Sequence, residues 1–101
     1  MPHYFLSPQA QESLRQISVY TLENYGAKQK TKYLKMLRSK MRIAAKNPAK
    51  GRERSDVKQG YYSIQAEKHH IYYRIRNTHI EILDVLHQSM EPKRHLSFQR
   101  G

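Results

Sequence analysis

The chain has 101 residues, which predicts one domain built around one modest core. It contains no cysteine, which excludes disulfide bonds, thiol chemistry and metal sites with sulfur ligands. Lysines and arginines number 19 and acidic residues 8, and the formal net charge of +11 indicates an acidic partner: nucleic acid, an anionic membrane face or an acidic protein.

The positive charge is concentrated in the middle of the chain. Residues 28–54 contain eleven basic side chains and one acid, Glu53. Such a run is either a solvated helix face that keeps the protein soluble or an anion-binding surface. No apolar run approaches the roughly 18 residues of a membrane span, and the N-terminal MPHYFLSPQAQ lacks the pattern of a signal peptide. We therefore expect a soluble, cytoplasmic protein.

Two helices are predicted in the first half of the chain. Ser7-Pro8 is typical of an N-cap followed by proline at the first helical position, and Gly26 suits the left-handed conformation that ends a helix. The apolar stripe of this helix is Ala10, Leu14, Ile17 and Thr21. A second helix is predicted from about Ala27 to Lys46, with an apolar stripe formed by Tyr33, Leu34, Leu37, Met41 and Ala44. The short link between them predicts an antiparallel helical hairpin.

Four strands are predicted around this hairpin. Residues 4–6 are a short apolar run before the first helix, and residues 51–59 are polar and predict a loop. Apolar alternation then predicts strands at 61–66, 70–76 and 80–86. The last is apolar on both faces, with Ile82 and Leu86 on one and Leu83 and Val85 on the other, which predicts a central or doubly covered strand. The expected fold is therefore α+β, strand–helix–helix–three strands, with the hairpin packed on an antiparallel sheet.

Short motifs in the helices and the sheet support a family resemblance. The helical part contributes Tyr25-Gly26, Asn47-Pro48 and Gly51-Arg52. The sheet contributes HHIYYRI at 69–75 and VLHQSM at 85–90, which are the most specific segments. In this order they resemble the ParE toxins of the RelE/ParE superfamily, the toxins of bacterial type II toxin–antitoxin pairs. The resemblance covers nearly all of a single domain at 1–101.

This resemblance carries expectations about function. RelE-like members cut messenger RNA in the ribosome, whereas ParE-like members trap the DNA cleavage complex of DNA gyrase and so block replication. A cognate antitoxin with a flexible C-terminal part neutralises both kinds. The VLHQSM ending resembles the ParE branch, with Glu91 where aspartate is usual. We expect a gyrase-inhibiting, plasmid-stabilising toxin that is not an enzyme, needs no cofactor, forms a hetero-oligomer with a ParD-like antitoxin and meets DNA only through antitoxin or gyrase.

The first alternative is a ribosome-dependent ribonuclease. Cleavage of RNA by its own 2′-hydroxyl requires a base, an acid and cations for the phosphate. The candidates are His87, Arg54 and Arg74, with Arg52 and Glu53 nearby in the sequence. RNA-cutting relatives have an arginine that contacts phosphate where this chain has Tyr62. Because that arginine is missing, we predict no catalytic residue.

The second alternative is a nucleic-acid-binding module without toxicity. Tyrosines interleaved with arginines are able to stack bases over a charged groove. The residues concerned are Tyr61, Tyr62, Tyr72, Tyr73, Arg74 and Arg76. The same tyrosines fit cross-strand packing within a sheet, which we favour. His69 and His70 are adjacent on a strand and point to opposite faces, so no metal site is predicted.

Two interaction surfaces are predicted. The antitoxin is expected to lay an amphipathic helix along the hairpin and to pair its acidic side chains with cations. The predicted antitoxin-binding residues are Tyr33, Leu34, Leu37, Lys40, Arg52, Arg54 and Arg74. The gyrase surface is expected at the C-terminal tail, about 91–101, and the junction before it, because apolar and basic groups continue beyond the last strand. Its residues are His87, Met90, Arg94, His95 and Leu96. The alternative is that this tail only closes the fold.

Overall fold

A computed structural model describes residues 3–96 of the protein. In chain order the elements are β1 (His3–Leu6), α1 (Pro8–Tyr25), α2 (Ala27–Lys46), a 3-10 turn (Pro48–Lys50), β2 (Arg52–Glu53), β3 (Tyr61–Ala66), β4 (His69–Ile75), β5 (His79–His87) and α3 (Pro92–Leu96). The predicted α+β architecture with a helical hairpin is confirmed. The expectation of a loop at 51–59 was wrong in part, because β2 lies near its start, and the predicted tail contains the short helix α3. No helix within 3–96 is long and apolar enough to cross a bilayer.

The strands of the described chain form one sheet in the order β1-β5-β4-β3-β2. The three C-terminal strands pair antiparallel through short turns, as predicted. β1 instead pairs parallel with β5, His3 opposite His79 and Leu6 opposite Ile82. The parallel pairing arises because the hairpin carries the chain away from β1, and β5 returns beside it in the same direction. β5 therefore has a neighbour on each side, which confirms its predicted central position.

The two helices begin and end where local chemistry requires. The Ser7 hydroxyl accepts from the Ala10 N–H at 3.0 Å and caps α1, and Pro8 occupies the first turn. Gly26 joins α1 to α2 with φ 89° and ψ 171°. The predicted left-handed helical conformation was wrong in ψ, but the positive φ still demands glycine. The backbone N–H of Gly26 donates to the Leu22 carbonyl and closes α1.

The hairpin and one face of the sheet enclose the main core. The two predicted helical stripes supply buried side chains: Ala10, Leu14, Leu37, Met41 and Ala44. The sheet supplies Ala66, Ile71, Tyr73, Ile80, Ile82 and Val85. Both predicted helical faces are confirmed. Tyr73 also donates its hydroxyl to the Pro48 carbonyl at 2.7 Å, which fastens the end of α2 to the sheet.

A smaller core covers the opposite sheet face and depends on a β-bulge. Tyr72 lies opposite Asp84 while Tyr73 lies opposite Ile82, so Leu83 is an extra residue in β5. The bulge reverses the alternation, and the predicted face assignment was therefore wrong. Val85 packs with Ile82 under the helices, whereas the other face collects Tyr61, Tyr72, Leu83, Leu86 and Leu96.

Candidate functional site

Basic side chains gather on the sheet face opposite the hairpin, and we call this group the arginine surface. Its members are Arg52, Arg54, His70, Arg74 and Arg76. Cross-strand pairing sets the positions of two of them: Arg52 lies opposite Ser63, and Arg74 lies opposite Tyr61. Three arginines predicted to bind antitoxin, Arg52, Arg54 and Arg74, therefore lie on one surface, and it is the sheet register that brings them together.

Arg54 is held rigidly at this surface. Its guanidinium donates twice to the Asp56 carboxylate, at 3.0 and 2.9 Å, and once to the Tyr72 hydroxyl at 3.3 Å. It also lies over the Tyr72 ring, 5.6 Å from the centroid. The hydrogen bond from Arg54 is the main cause that lowers the pKa of Asp56 to about 2. Arg54 is therefore oriented before any partner arrives.

Arg74 and Arg76 share one carboxylate. Glu81 accepts from Arg74 Nε at 2.9 Å and from the Arg76 guanidinium at 3.2 Å. Burial acts to raise the pKa of Glu81, but the hydrogen bonds and charges of the two arginines outweigh it and lower that pKa. Arg74 is 15% exposed and Arg76 43%. Arg74 thus has further donors for a second carboxylate within a partly desolvated setting.

A cleft of about 560 Å³ opens beside the arginine surface, between the end of α2 and β3. Arg52 and His70 lie on its rim, and Ile43, which is 49% exposed, supplies an apolar wall. Burial first, and then the charges of Arg54 and Arg52, lower the pKa of His70. A neutral His70 leaves the arginines as the cationic groups at this edge.

His87 belongs to a separate cluster on the helical side of the sheet. His69 lies opposite His87, and their rings meet edge to face at 5.3 Å. The Tyr33 hydroxyl from α2 contacts His69 Nδ1 at 2.6 Å. The Ser89 N–H donates to His87 Nδ1 at 3.1 Å and ties the ring to the turn after β5. Burial first, and then the charges of His87 and His70, lower the pKa of His69 to about 4.

The three residues of the ribonuclease alternative do not converge. His87 is aligned with His69, and Arg74 lies five residues further along β4, about 17 Å away at the usual rise per residue. The His69 ring meets a helix, whereas Arg74 shares the opposite face with Tyr61 and Tyr72. His87 and Arg74, two candidates of the ribonuclease alternative, are therefore not gathered around one phosphate.

The tyrosines proposed as a base-stacking platform are structural. Tyr61, Tyr72 and Tyr73 are at most 3% exposed. Tyr62 stacks against Tyr73 with ring centroids 5.7 Å apart. Their packing in the two cores confirms the cross-strand interpretation and leaves Tyr61, Tyr72 and Tyr73 too buried to stack bases. Among residues 3–96 no three histidine, aspartate or glutamate side chains are placed to hold a metal ion.

The predicted antitoxin anchors on α2 differ in exposure. Leu37 is 0% exposed and belongs to the main core, so its prediction as a partner contact was wrong. Its position at the centre of the apolar stripe turns it directly towards the sheet. Tyr33, Leu34 and Lys40 are partly exposed and border the same stripe. These three remain accessible to a helix laid along the hairpin.

The C-terminal junction divides into a buried and an exposed part. Leu96 is 0% exposed and packs with Tyr61, Tyr72 and Leu83, so the expectation of an exposed tail was wrong at this residue. α3 is able to reach this core because it folds back over the second face of the sheet. Met90 is 43% exposed, Arg94 is exposed and His95 is partly exposed. Residues 97–101 of the predicted tail lie outside the described residues.

Asp84 is a buried charge that sequence reasoning missed. It is 1% exposed, and its carboxylate accepts from Gln9 Nε2 at 2.6 Å, Ser13 Oγ at 2.5 Å and the Val85 N–H at 2.8 Å. Burial raises its pKa despite these bonds. Gln9 also donates to the His95 carbonyl at 3.2 Å, so Asp84 links α1, β5 and α3. The available signal was an acid inside the apolar run ILDVL.

A protein-family model described as "ParE toxin of type II toxin-antitoxin system, parDE" matches residues 4–92. The chain belongs to this family. It is 36% identical over 94 residues to Toxin ParE1 of Mycobacterium tuberculosis, covering 92% of this chain and 96% of that protein. It is 31% identical over 96 residues to Toxin ParE1 of Caulobacter vibrioides, covering 95% and 99%.

Solved toxin structures share the fold of this ParE family member. A structure titled "Chromosomal ParDE TA system from P. aeruginosa" matches with a TM-score of 0.75 and 16% identity, over 86% of this chain and 96% of that one. The YoeB dimer from Staphylococcus aureus matches with a TM-score of 0.61 and 23% identity, over 84% and 94%. At such identities the likeness shows the fold alone, and it supports the α+β assignment.

The half-buried His69 predicts loss of stability in acid. Its pKa is near 6.5 in the unfolded chain and about 4 in the fold, so the unfolded state binds more protons between these values. Stability is therefore lost as pH falls through this window, by about 1–2 kcal/mol after allowance for solvent screening. Urea unfolding at about pH 7 and about pH 4.5 should show this loss in the natural chain and a smaller one in His69→Gln. An equal loss in both proteins would contradict the prediction. The matched control is His79→Gln, which replaces a histidine outside the cluster.

Asp84→Ala is expected to destabilise the toxin by about 1–3 kcal/mol in urea unfolding at neutral pH. The substitution leaves the Ser13 hydroxyl, the Val85 N–H and one Gln9 amide hydrogen bond without their acceptor. Asp84→Asn retains one acceptor oxygen and should lose less. Equal unfolding free energies for the Asp84→Ala variant and the natural chain would contradict the prediction. They would mean that the hydrogen bonds of the carboxylate only offset the cost of burying it.

Proposed function

We propose that this ParE family toxin inhibits DNA gyrase by trapping its DNA cleavage complex, and that a ParD-like antitoxin neutralises it. The observation that carries the proposal is the family match over residues 4–92. The VLHQSM segment, which resembles the ParE branch, continues as the exposed junction after β5. Gyrase is the target expected of that branch, and the toxin acts in the cytoplasm where gyrase and its DNA are found.

The toxin acts by binding and carries out no chemistry of its own in this proposal. A ribonuclease needs proton-transfer groups and phosphate-holding cations around one site. The cluster of Tyr33, His69 and His87 lies on the helical side, and the arginine surface lies on the other. In addition, Ser89 ties the His87 ring to the turn after β5. This arrangement supports a structural role for His87 at the junction.

The antitoxin is proposed to bind across the hairpin and the cleft. Tyr33 and Leu34 offer partly exposed apolar anchors for an amphipathic helix. Lys40 borders these two residues. From there the antitoxin is proposed to continue past Arg52 to the rest of the arginine surface. Acidic side chains suit this surface because Glu81 fixes the orientation of Arg74, whose remaining donors are able to bind a second carboxylate. Arg54 already pairs with Asp56 through both nitrogens of one fork and contributes positive charge beside Arg74. The titles "Chromosomal ParDE TA system" and "YoeB-YefM toxin-antitoxin" name toxin–antitoxin systems of proteins with this fold.

The gyrase contact is proposed at the exposed part of the C-terminal junction. Met90 and Arg94 combine an apolar and a cationic group without belonging to either core. His95 adds a partly exposed ring beside them. A Met90→Ala, Arg94→Ala double variant should fold normally, retain antitoxin binding and trap less gyrase-cleaved DNA. Unchanged trapping by a folded double variant would remove these two residues from the gyrase surface.

One experiment separates gyrase poisoning from RNA cleavage. Purified toxin is added to gyrase with supercoiled DNA and, in parallel, to translating ribosomes. Poisoning predicts linear DNA after denaturation of the trapped complex, relieved by the product of the neighbouring antitoxin gene, and intact messenger RNA. Cuts in messenger RNA at the ribosomal A site without any effect on gyrase would overturn the proposal in favour of a ribonuclease.

A further inference from the structure

The outer face of α2 forms a continuous stripe of cations. We call this group the α2 stripe, and its members are Lys28, Lys32, Lys35, Arg38, Arg42 and Lys46. All six are exposed. Each residue of a helix is rotated by about 100° from the one before it, so all six side chains lie within about 80° of the direction opposite the buried Leu37. The stripe runs from Lys28 to Lys46, a length of about 27 Å at the usual helical rise, with roughly one cation for each turn.

No aspartate or glutamate among residues 3–96 forms an ion pair with this stripe. α2 contains no aspartate or glutamate. The ion pairs found within residues 3–96 involve Arg15, Arg54, Arg74 and Arg76, and none involves a stripe residue. The stripe is therefore a straight array of positive charges whose mutual repulsion is unrelieved inside the described chain. A linear polyanion would relieve that repulsion along its whole length.

We propose that the α2 stripe binds the phosphate backbone of duplex DNA directly. Phosphates are spaced closely and regularly along a rigid duplex, and lysines and arginines that neutralise them release condensed counterions. The exposed side of a helix about 10–12 Å wide also matches the major groove of B-DNA, which is about 12 Å wide. This goes beyond the proposed function, in which the toxin meets DNA only through antitoxin or gyrase.

The composition of the stripe favours DNA over other acidic partners. Lysine is depleted in the centre of protein–protein interfaces, which use aromatic and apolar anchors, whereas four of the six stripe residues are lysines. Single strands are bound by stacked aromatic side chains, and the stripe contains none. Duplex RNA presents a deep, narrow major groove that a helix face does not enter. A backbone contact of this kind is independent of base sequence.

The test measures how binding of a labelled DNA duplex of about 30 base pairs depends on salt. The full chain is titrated by fluorescence anisotropy at several salt concentrations. The stripe variant carries Lys32→Gln, Lys35→Gln and Arg42→Gln. The matched control carries Lys50→Gln, Lys58→Gln and Lys68→Gln, three exposed lysines outside α2, and so has the same net charge. Circular dichroism and urea unfolding establish that both variants fold.

We expect the natural chain to show a slope of log K against log salt of about −4 to −5, for roughly five phosphate contacts. The slope of the stripe variant should be less steep by about 3, and its DNA affinity at 0.1 M salt should be at least about tenfold weaker. The control should keep most of the slope and most of the affinity of the natural chain.

Equal losses in the two variants would overturn the proposal, because net charge alone would then explain binding. Selective loss of binding to a polyglutamate peptide, with the DNA affinity unchanged, would overturn it in favour of an acidic protein. Tighter binding to the matched RNA duplex would overturn the assignment to DNA.

Discussion

Replacing Leu96 with alanine should lower the free energy of unfolding of the toxin by about 2–5 kcal/mol, as is usual for truncation of a fully buried leucine. The side chain is 0% exposed and fills the second core beside Tyr61, Tyr72 and Leu83. The alanine variant leaves a cavity over the sheet that the five-residue α3 is too short to close by repacking. Urea unfolding monitored by circular dichroism measures the difference.

Met90→Ala is the matched control for this prediction. Met90 lies on the same junction and is 43% exposed, so its truncation should change the unfolding free energy by no more than about 0.5 kcal/mol. A Leu96→Ala protein as stable as the natural chain would mean that α3 does not close the second core in solution. If the expected result is obtained, deletion of residues 93–101 is a poor test of the gyrase surface. The deletion removes Leu96, so a loss of toxicity would result from unfolding as well as from loss of a gyrase contact.

Arg74→Ala should weaken antitoxin binding by about 2–5 kcal/mol, given the proposed function. Arg74 is 15% exposed, and its Nε is already committed to Glu81 at 2.9 Å. Its remaining donors face a partly desolvated surface, where an antitoxin carboxylate would be bound in a fixed geometry. Truncation would leave that carboxylate without a partner. Isothermal titration of the purified antitoxin into each toxin variant measures the loss.

Arg76→Ala is the control for this prediction because it shares the Glu81 carboxylate. Arg76 is 43% exposed, so its contact with a partner is screened by solvent and its truncation should cost less than about 1 kcal/mol. Each variant removes one of the two cations that pair with Glu81. Any effect of disturbing Glu81 is therefore present in both variants and cancels in their comparison. Equal, small losses in the two variants would remove Arg74 from the antitoxin surface.

The helical half of the fold was predictable because its signals are local. Ser7 and Pro8 start α1, Gly26 separates the helices, and Asn47-Pro48 ends α2. Each signal acts through the backbone of its own few residues. The apolar stripes of the helices follow from the same 3.6-residue period and were confirmed by burial. Leu37 is buried as its place on the stripe predicted, and only its assignment to the antitoxin surface was wrong, because a position on an apolar stripe does not distinguish a core residue from a partner anchor.

The arrangement of the candidate residues was predictable only in part, since it depends on register between distant strands. The sequence identified Arg52, Arg54 and Arg74, but their shared face follows from the pairing of β2, β3 and β4. The same pairing places His87 on the other side, beside His69. Residue type suggested a catalytic group of histidine and arginines, and the alternation of the sheet separated it.

The sequence by itself determined the α+β class, both long helices, the central position of β5 and the family resemblance, since these follow from periodicity, caps and short motifs. Only the tertiary structure decided that β1 runs parallel to β5, that Leu96 is buried and that Asp84 is a buried, hydrogen-bonded carboxylate. One extra residue, Leu83, reverses the faces of β5, so that Val85 and not Leu86 enters the core under the helices. A bulge of this kind arises from contacts between strands, so the alternation of a single strand does not reveal it.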